Sequence, residues 1–587
     1  MFSRVVITDS YAESQVISKY LEEGAFVFLD SSDVVEDNFD IVDSRPVIHG
    51  AQALHFYDLD LASVYNFTVF DLSRQLLKKF DFQENSEFFN VLLEVTRLAL
   101  IKQYSTYCVL EVFRRAEIEI TCAGTPSYQK RVEHVLTSLQ VPCKLCVSSS
   151  ESFKEVSVIG QPRKQVSVKC DDMHRDWNNF LINSKKKILE LKKKSSIRKP
   201  IAISILPRFN TVLQVAGELY KHLRQRNLFP DLIAPVDAKR IINRDVLGYT
   251  INPESMILLS NLSLKLTRKK NYHVEIELGQ EDAKSIVDVL VLEILQKNQI
   301  SRIFQDAQNA IQGTIETFDQ QMYDRIFMTP GRGITQITMS EVCSALGIET
   351  VSVQNAFFGP FYTYVPMVGD ICLVNDDVAM TYQQDRRYYF KKSKVVRVKS
   401  FLHTSLAQRL PRVTYDHSKK FSLCIIGQPG LEKSIQLLMK DLFGIKANPS
   451  QTNFDILYKL HPRQSDQIVK AYIPNEFIER VELVSSEDRL LEMGNLIFIG
   501  ISSNYIVEMT LMGHIVFPIK YLPGYVVDFE SLGDYQVVDS RSDLSDKITR
   551  LGTQIGVQSY SKAVEGLVLD YHESYANSNV DRVLDSI

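Results

Sequence analysis

Cysteine is scarce in this sequence, with eight residues in 587. A secreted chain that relies on disulfides has its cysteines dense and in a short sequence, so this usage favours a reducing compartment. Cys143 and Cys146 form a single CxxC inside an apolar, strand-like run, and no second CxxC follows to complete a zinc site. We therefore interpret this pair as structural.

Long hydrophobic runs and an excess charge of one sign are also missing. No run reaches about 18 apolar residues, and the first residues, MFSRVVITDS, lack the apolar stretch of a signal peptide. The 67 basic and 71 acidic residues give a formal net charge of −4, which excludes binding of nucleic acid through a general basic field. We expect a cytoplasmic protein with neither a membrane span nor a nucleic-acid partner.

The composition that is present, 45% hydrophobic and 24% charged, is typical of globular proteins. At about 100–200 residues per domain, the length predicts three to five folding units. Strands alternate with helices from the start: Arg4 to Thr8 and Ala25 to Leu29 read as strands, with a helix at Tyr11 to Glu23 between them. This pattern predicts parallel sheets covered by helices.

Two further series of alternating strands and helices begin at Pro200 and at Phe421. They predict an α/β fold with two doubly wound, Rossmann-like domains facing a cleft, plus an extra N-terminal α/β domain. The predicted units are 1–150 (N-terminal α/β domain), 151–199 (basic linker), 200–410 (first Rossmann-like domain), 411–550 (second Rossmann-like domain) and 551–587 (helical tail).

Two basic segments are candidates for a peripheral contact with an anionic membrane. The first, Lys185 to Lys199, belongs to a stretch with eight basic residues and one acidic residue, and the second, Arg386 to Lys392, mixes basic and aromatic side chains. The alternatives stay open: a solvated helix and linker, a guide for an anionic acceptor, or an exposed helix end between two domains.

Three loops in the 411–550 domain each follow a predicted strand and precede a predicted helix, so all three should open on one edge of the sheet. Singly, a Gly-Gln-Pro-Gly loop is most often a turn and Ser-Ser most often a helix cap. Together they place hydroxyl, imidazole, guanidinium and helix-end donors where a phosphate binds. The loops are Gly427-Gln428-Pro429-Gly430, His461-Pro462-Arg463 and Ser502-Ser503.

These motifs resemble those of the bacterial sialyltransferases, which use CMP-activated sialic acid to build lipooligosaccharide or polysialic acid capsules. CIIGQPGLE is similar to that family's Gly-Gln-Pro strand end, YKLHPRQ to its His-Pro motif, VELVSSEDRLL to the acidic segment that follows, and GISSN to its Ser-Ser motif. The resemblance covers residues 420–520 well, extends weakly over 200–410 as a paired-domain GT-B architecture, and leaves out 1–150.

The resemblance implies roles for particular residues. His461 would contact the donor phosphate and help CMP to leave, Ser502 and Ser503 would bind the same phosphate, and neither a metal nor another cofactor would be required. Lys459 and Glu508 are further candidates for donor contacts, Glu508 because it lies one helical turn after Asn504 and can face a ribose hydroxyl.

The sequence departs from the family at the acid that acts as general base on the acceptor. The corresponding strand end, Val353 to Pro360, has no carboxylate, and the literal match Glu22-Glu23-Gly24 lies at a predicted helix end in the N-terminal domain, where we interpret it as a C-cap. The acids left as candidates for the base are Glu341, Asp370, Asp376 and Asp377, with Glu341 slightly favoured.

The resulting hypothesis is an inverting, metal-independent glycosyltransferase that moves sialic acid or a related acidic sugar from a CMP-activated donor to a bacterial surface glycan or glycolipid. It would be cytoplasmic, with peripheral contact at the inner membrane. Two alternatives remain. One is a Kdo or CDP-glycerol transferase of the same fold, and the other is a non-catalytic GT-B-like scaffold, which the missing acid favours.

Overall fold

The structure is a computed structural model of the chain. It describes residues 4–8, 25–29, 47–49, 59–84, 86–115, 117–122, 129, 132, 143–146, 153–156, 164–169, 171–194, 198–205, 210–235, 256–259, 275–282, 299–329, 333–354, 367–375, 379–380, 383, 393–398, 413–416, 419–428, 431–446, 454–461, 464, 466, 469–470, 473–485, 490, 493–501, 503–522, 529–532 and 535–576. Within these ranges, no helix combines the length and the apolar character that a membrane crossing requires.

The N-terminal part forms a six-stranded sheet of order β3-β2-β1-β4-β5-β6, parallel except for the β5/β6 pair. The strands predicted at Arg4 and Ala25 are confirmed, whereas the predicted helix between them, with Glu22 and Glu23, lies outside the described residues. The elements are β1 (Arg4–Thr8), β2 (Ala25–Leu29), β3 (Val47–His49), α1 (Leu59–Lys79), α2 (Phe89–Arg115), β4 (Glu119–Cys122), β5 (Cys143–Cys146) and β6 (Phe153–Val156).

Cys143 and Cys146 are the two ends of β5. The interpretation of this pair as structural stays a prediction.

The middle of the chain forms a seven-stranded, fully parallel sheet of order β10-β9-β8-β12-β13-β14-β15. The order reverses between β8 and β12, which is the switch point of this sheet. A separate antiparallel pair joins β7 to β11. The elements are β7 (Lys164–Lys169), α3 (Asp171–Lys194), β8 (Lys199–Ile205), α4 (Asn210–Gln225), β9 (Asp231–Pro235), β10 (Met256–Leu259), β11 (Glu275–Asp282), α5 (Gln299–Gln320), β12 (Tyr323–Thr329), α6 (Ile334–Leu346), β13 (Glu349–Val353), β14 (Ile371–Val374) and β15 (Lys394–Arg397).

Helix α3 corrects the expectation of a linker over much of 151–199. Its apolar residues Met173, Trp177 and Ile188 recur at helical spacing, and they are buried in the same core as residues of α2, α5 and α6. Part of its basic face is paired, because Lys187 donates to Asp319 at 2.9 Å. The segment is thus a packed helix, and the precise domain boundaries stay predictions, as does the cleft.

The third sheet has five parallel strands in the order β18-β17-β16-β19-β20, and each predicted strand is confirmed in sequence order. Its central strands are apolar on both faces, as expected for a parallel sheet covered by helices. The predicted C-terminal helix is confirmed as α11, which packs against α8 and α10. The elements are β16 (Phe421–Ile426), α7 (Glu432–Lys446), β17 (Phe454–Lys459), a 3₁₀ helix (Asn475–Arg480), β18 (Val481–Val484), β19 (Leu496–Gly500), α8 (Asn504–Leu511), β20 (Val516–Pro518), α9 (Phe529–Leu532), α10 (Arg541–Leu551) and α11 (Gln554–Ala576).

Candidate functional site

The candidate site lies at the carboxyl edge of the third sheet, around its switch point between β16 and β19. Gly427 follows β16, Lys459 ends β17 and is followed by His461, and Ser503 lies between β19 and α8. Since the three strands are parallel, these residues share one edge, as the sequence predicts. Three strand ends therefore meet where ligands of doubly wound sheets bind. Of the predicted donor-binding residues, Pro429, Pro462, Arg463 and Ser502 lie outside the described part of the chain.

Gly427 closes the gap between the ends of β16 and β17. Its backbone N–H donates to the Lys459 carbonyl at 2.9 Å. A Cβ atom at this position would lie 2.6 Å from the Lys459 oxygen and 2.7 Å from Oε1 of Gln464, well inside normal contact. Only glycine fits here without a shift of the strand ends. Gln428 follows it and is half-buried at the same edge.

Gln464 fixes the loop that carries His461, and sequence analysis missed it. Its Oε1 accepts hydrogen bonds from the His461 N–H at 3.2 Å and from the Tyr458 hydroxyl at 3.3 Å. Its own N–H donates to the His461 carbonyl at 2.8 Å. In the sequence, Gln464 is a polar residue directly after His-Pro-Arg, and nothing in the sequence shows that it hydrogen-bonds back to the loop.

The Lys459 ammonium lies 4.3 Å from the centre of the Tyr505 ring, a cation–π contact that joins β17 to the first turn of α8. Tyr505 donates its backbone N–H to Oγ of Ser503 at 3.2 Å, which makes Ser503 the N-cap of that helix. This cap uses the oxygen of the hydroxyl as an acceptor and leaves its O–H as a donor. A cation, a hydroxyl donor and the positive end of a helix dipole thus converge on one place, which suits an anion.

Glu508 lies in the middle of α8 and is half-buried, one turn after Asn504 as expected. Its predicted contact with a ribose stays a prediction. Among the described residues, no group of three or more His, Cys, Asp or Glu side chains is placed to hold a metal ion.

The acid favoured as general base, Glu341, is placed differently from the expectation. Its Oε1 accepts a hydrogen bond from Nδ2 of Asn90 at 2.7 Å, where α6 packs against α2. This carboxylate is held by the N-terminal part of the chain and is well explained as a packing contact.

Asp370 lies at the amino end of β14, where its Oδ2 accepts hydrogen bonds from the N–H and the hydroxyl of Thr350, both at 2.8 Å. That is the edge opposite to the one where ligands bind. Asp376 and Asp377 lie outside the described residues, but in the chain they directly follow Asn375 at the carboxyl end of β14. They are the two candidates to which the structure gives no other role.

His514 is the other histidine of this domain that invites a catalytic role, and its position argues against one. It lies between α8 and β20, contacts the Phe498 ring edge-on with centroids 5.1 Å apart, and is 4% exposed. Burial lowers the pKa of His514 to about 4, partly offset by a hydrogen bond to the Leu496 backbone. Leu496 begins β19, so His514 belongs to the amino edge and to the core.

No protein-family model matches the chain, and no curated protein matches it. Solved structures with a similar arrangement include UDP-GlcNAc 2-epimerase from Methanocaldococcus jannaschii (11% identity, TM-score 0.38, covering 61% of this chain and 94% of that one). The GtfA/B complex (12%, 0.37, 63% and 96%) and the glycosyltransferase VinC in complex with DTDP (12%, 0.33, 64% and 98%) are also similar. At these identities and scores the likeness carries no argument about activity.

Proposed function

We propose that the protein is a glycosyltransferase of the GT-B type that binds a nucleotide-activated sugar at the carboxyl edge of its third sheet. The observation that carries this proposal is the placement of the Lys459 ammonium over Tyr505, beside the Ser503-capped start of α8. A phosphate bound there gains a positive charge, a hydroxyl donor and helix N–H groups together. Because Gly427 has no side chain, the ends of β16 and β17 can lie close together at this edge, which keeps Lys459 next to the proposed site.

The donor proposed is a CMP-activated acidic sugar, of the sialic acid type. The support is the run of Gly-Gln-Pro, His-Pro and Ser-Ser motifs in the order and spacing of the bacterial sialyltransferases, now with Gly427, His461 and Ser503 on one edge. The proposed acceptor is a surface glycan or glycolipid.

In the proposed reaction the bond between the sugar and the phosphate of CMP breaks while an acceptor hydroxyl attacks the opposite face of the sugar. Lys459, Ser503 and His461 stabilise the negative charge that develops on the departing phosphate, and His461 can also supply a proton to it. Gln464 holds the His461 backbone in place, so the imidazole starts from a defined position. The acceptor proton goes to a base, for which Asp376 or Asp377 is proposed.

The test is the affinity of the full chain for CMP and UMP, measured by calorimetry, in the wild type and in Lys459→Met. Loss of a charge-assisted bond to phosphate should weaken CMP binding by about tenfold or more. Lys440→Met is the matched control, because Lys440 is exposed in the middle of α7 and belongs to none of the strand ends and loops that form the site. Absence of any nucleotide binding would contradict the function, and equal affinity for UMP would contradict the choice of CMP.

The non-catalytic scaffold is the second candidate, favoured by one observation. Of the acids considered for the base, Glu341 and Asp370 are both engaged elsewhere in the fold. A scaffold would bind CMP but neither hydrolyse nor transfer the sugar of CMP-activated sialic acid. Release of CMP from that donor, with and without a glycan acceptor, separates the two.

A further inference from the structure

The two edges of the seven-stranded sheet differ in how their polar groups are satisfied. At the amino edge, Oδ2 of Asp231 accepts hydrogen bonds from the Tyr323 hydroxyl and from the Lys199 ammonium, each at 2.8 Å. Thr350 and Asp370 form a second paired group there. Glu349, at the start of β13, forms an ion pair with Arg325. These three carboxylates therefore all pair with side chains of the same edge.

The carboxyl edge is different, because two buried amides keep a donor unused. Among the residues that the structure describes, Nε2 of Gln336 and Nδ2 of Asn375 have no hydrogen-bond partner, although the two residues are 0% and 6% exposed. A buried polar group without a partner destabilises the folded state, so native proteins seldom retain one without a use. Asn375 is also held in place, since its N–H donates to Oε1 of Gln354 at 2.7 Å.

Gln336 is positioned over the switch point of the sheet. Its Oε1 accepts a hydrogen bond from Oγ of Ser204 at 3.2 Å, near the carboxyl end of β8, while its backbone belongs to the first turn of α6, which follows β12. β8 and β12 are the neighbouring strands at which the strand order reverses. The unused donor is therefore located where doubly wound sheets bind ligands.

The start of α6 adds donors to the same place. Its N-cap is Gly333, with φ of 90°, and this residue has no side chain with which to cap the helix. A Cβ atom on Gly333 would meet none of the described residues within 4 Å, so they leave open the space that a Ser or Asp cap would fill. Gln336 is three residues after this cap. A side chain at this position of a helix can reach back towards the N-cap residue.

We propose that this edge, formed by the N-terminus of α6 and the Gln336 amide, binds an oxyanion, either a phosphate or a carboxylate group of a small molecule. The two unpartnered groups named at this edge, Nε2 of Gln336 and Nδ2 of Asn375, are both amide N–H donors, and a helix N-terminus favours negative charge. An oxygen of the ligand takes the place of the missing cap side chain and accepts from the helix N–H groups and from Nε2. In the sequence, Arg332 directly precedes the cap, although it lies outside the described residues. This site is on a different sheet from the Lys459 site and does not rest on the proposed function.

The test measures the rise in melting temperature of the full chain with added sodium phosphate, sodium glucuronate or glucose. All proteins carry Lys459→Met, so that phosphate bound at the third sheet contributes little. The protein that carries Lys459→Met alone is the parent, and phosphate or glucuronate should raise its melting temperature. Comparing these two additions distinguishes a phosphate ligand from a carboxylate ligand. Gln336→Met should raise the concentration needed for half of the effect by about tenfold, since it removes a hydrogen bond to a charged group. Glucose should have no effect.

Controls separate binding from folding. Thr350→Val removes a hydrogen bond at the amino edge and should lower the melting temperature while leaving the phosphate response intact. Because Gln336→Met leaves Ser204 without its acceptor, the double variant with Ser204→Ala is measured as well. The proposal is overturned if glucose stabilises as well as phosphate, if neither anion stabilises the parent, or if the double variant keeps the parent response. A double variant that unfolds several degrees earlier would assign Gln336 a structural role and would also overturn it.

Discussion

The ammonium of Lys459 lies 4.3 Å from the centre of the Tyr505 ring, and this one contact ties the end of β17 to the start of α8 across the intervening β16. The ring holds the cation beside the Ser503 cap, where a phosphate is proposed to bind. The contact is therefore a positioning contact for the proposed site.

The first prediction follows from that contact. Tyr505→Leu removes the aromatic face, and loss of a cation–π interaction of about 0.5–1 kcal/mol should weaken CMP binding by about two- to fivefold. Tyr505→Phe keeps the ring and should bind CMP as the wild type does. Calorimetric titration of both variants checks this, and equal weakening in the two would assign the effect to the hydroxyl instead of the ring.

The second prediction concerns Gly427. Gly427→Ala forces a Cβ atom to within 2.6 Å of the Lys459 carbonyl oxygen, so the ends of β16 and β17 must separate. Overpacking of this kind costs about 1–3 kcal/mol of unfolding free energy. Since the shift displaces Lys459, CMP affinity should fall as well. Chemical unfolding and calorimetry provide the two measurements.

Gly494→Ala is the matched control, because a Cβ atom there meets nothing within 4 Å. It should leave both unfolding and CMP affinity unchanged. If Gly427→Ala behaves like this control, the close approach of the two strand ends is wrong.

The third prediction distinguishes His461 from the residue that positions it. His461→Ala should lower the turnover of a CMP-activated sugar by about 10²–10⁴-fold, the usual contribution of a general acid, with little change in melting temperature. Gln464→Leu removes the acceptor for the His461 N–H and should lower turnover less. Gln464→Glu keeps that acceptor and should recover part of the loss.

Steady-state kinetics at several pH values check this pair. A positioning role predicts that Gln464→Leu lowers kcat and leaves the pH profile in place, whereas His461→Ala removes the limb of the profile that the imidazole produces. An unchanged rate in His461→Ala would remove the residue from the mechanism.

Much of the fold could be predicted from the sequence, because parallel strands buried on both faces are continuous apolar runs with helices between them. The shared edge of Gly427, His461 and Ser503 follows from that pattern alone. The contacts that refine the site do not. Glu341 meets Asn90 across 251 residues of sequence, and only the docking of two helices brings them together.

Helix α3 illustrates a second limit of sequence analysis. The eight basic residues over 183–199 indicate a solvated connector. The buried residues Ile188 and Leu191 lie among them, and the buried Met173 and Trp177 lie upstream of that charged run. The unpaired donor of Gln336 is likewise invisible in sequence, because an unsatisfied group is defined by its surroundings.

The fourth prediction concerns the general base. Glu341→Gln keeps an oxygen that can accept from Asn90, and Asp370→Asn keeps one that can accept from Thr350, so both variants should fold and transfer sugar normally. Asp376→Asn or Asp377→Asn should lower transfer by about 10²–10⁴-fold if one of them takes the acceptor proton. Transfer is assayed separately from donor hydrolysis. Full transfer activity in both Asp376 and Asp377 variants would rule out a carboxylate base after β14.

The last prediction is a pH dependence of stability that originates at His514. Burial lowers the pKa of this imidazole to about 4 in the folded protein, whereas a histidine in an unfolded chain has a pKa of about 6.5. Between these values the unfolded chain binds a proton that the folded chain does not, so the free energy of unfolding falls as the pH falls. The slope is about 1.4 kcal/mol per pH unit, and the loss is about 3 kcal/mol by pH 4.

His514→Phe keeps an aromatic ring against Phe498 and leaves the Leu496 carbonyl bonded to the Tyr415 hydroxyl at 2.9 Å. Urea unfolding of the two proteins from pH 7 to pH 4.5 should therefore show a shallower decline for the variant, and parallel declines would mean that the His514 ring is protonated in the folded state.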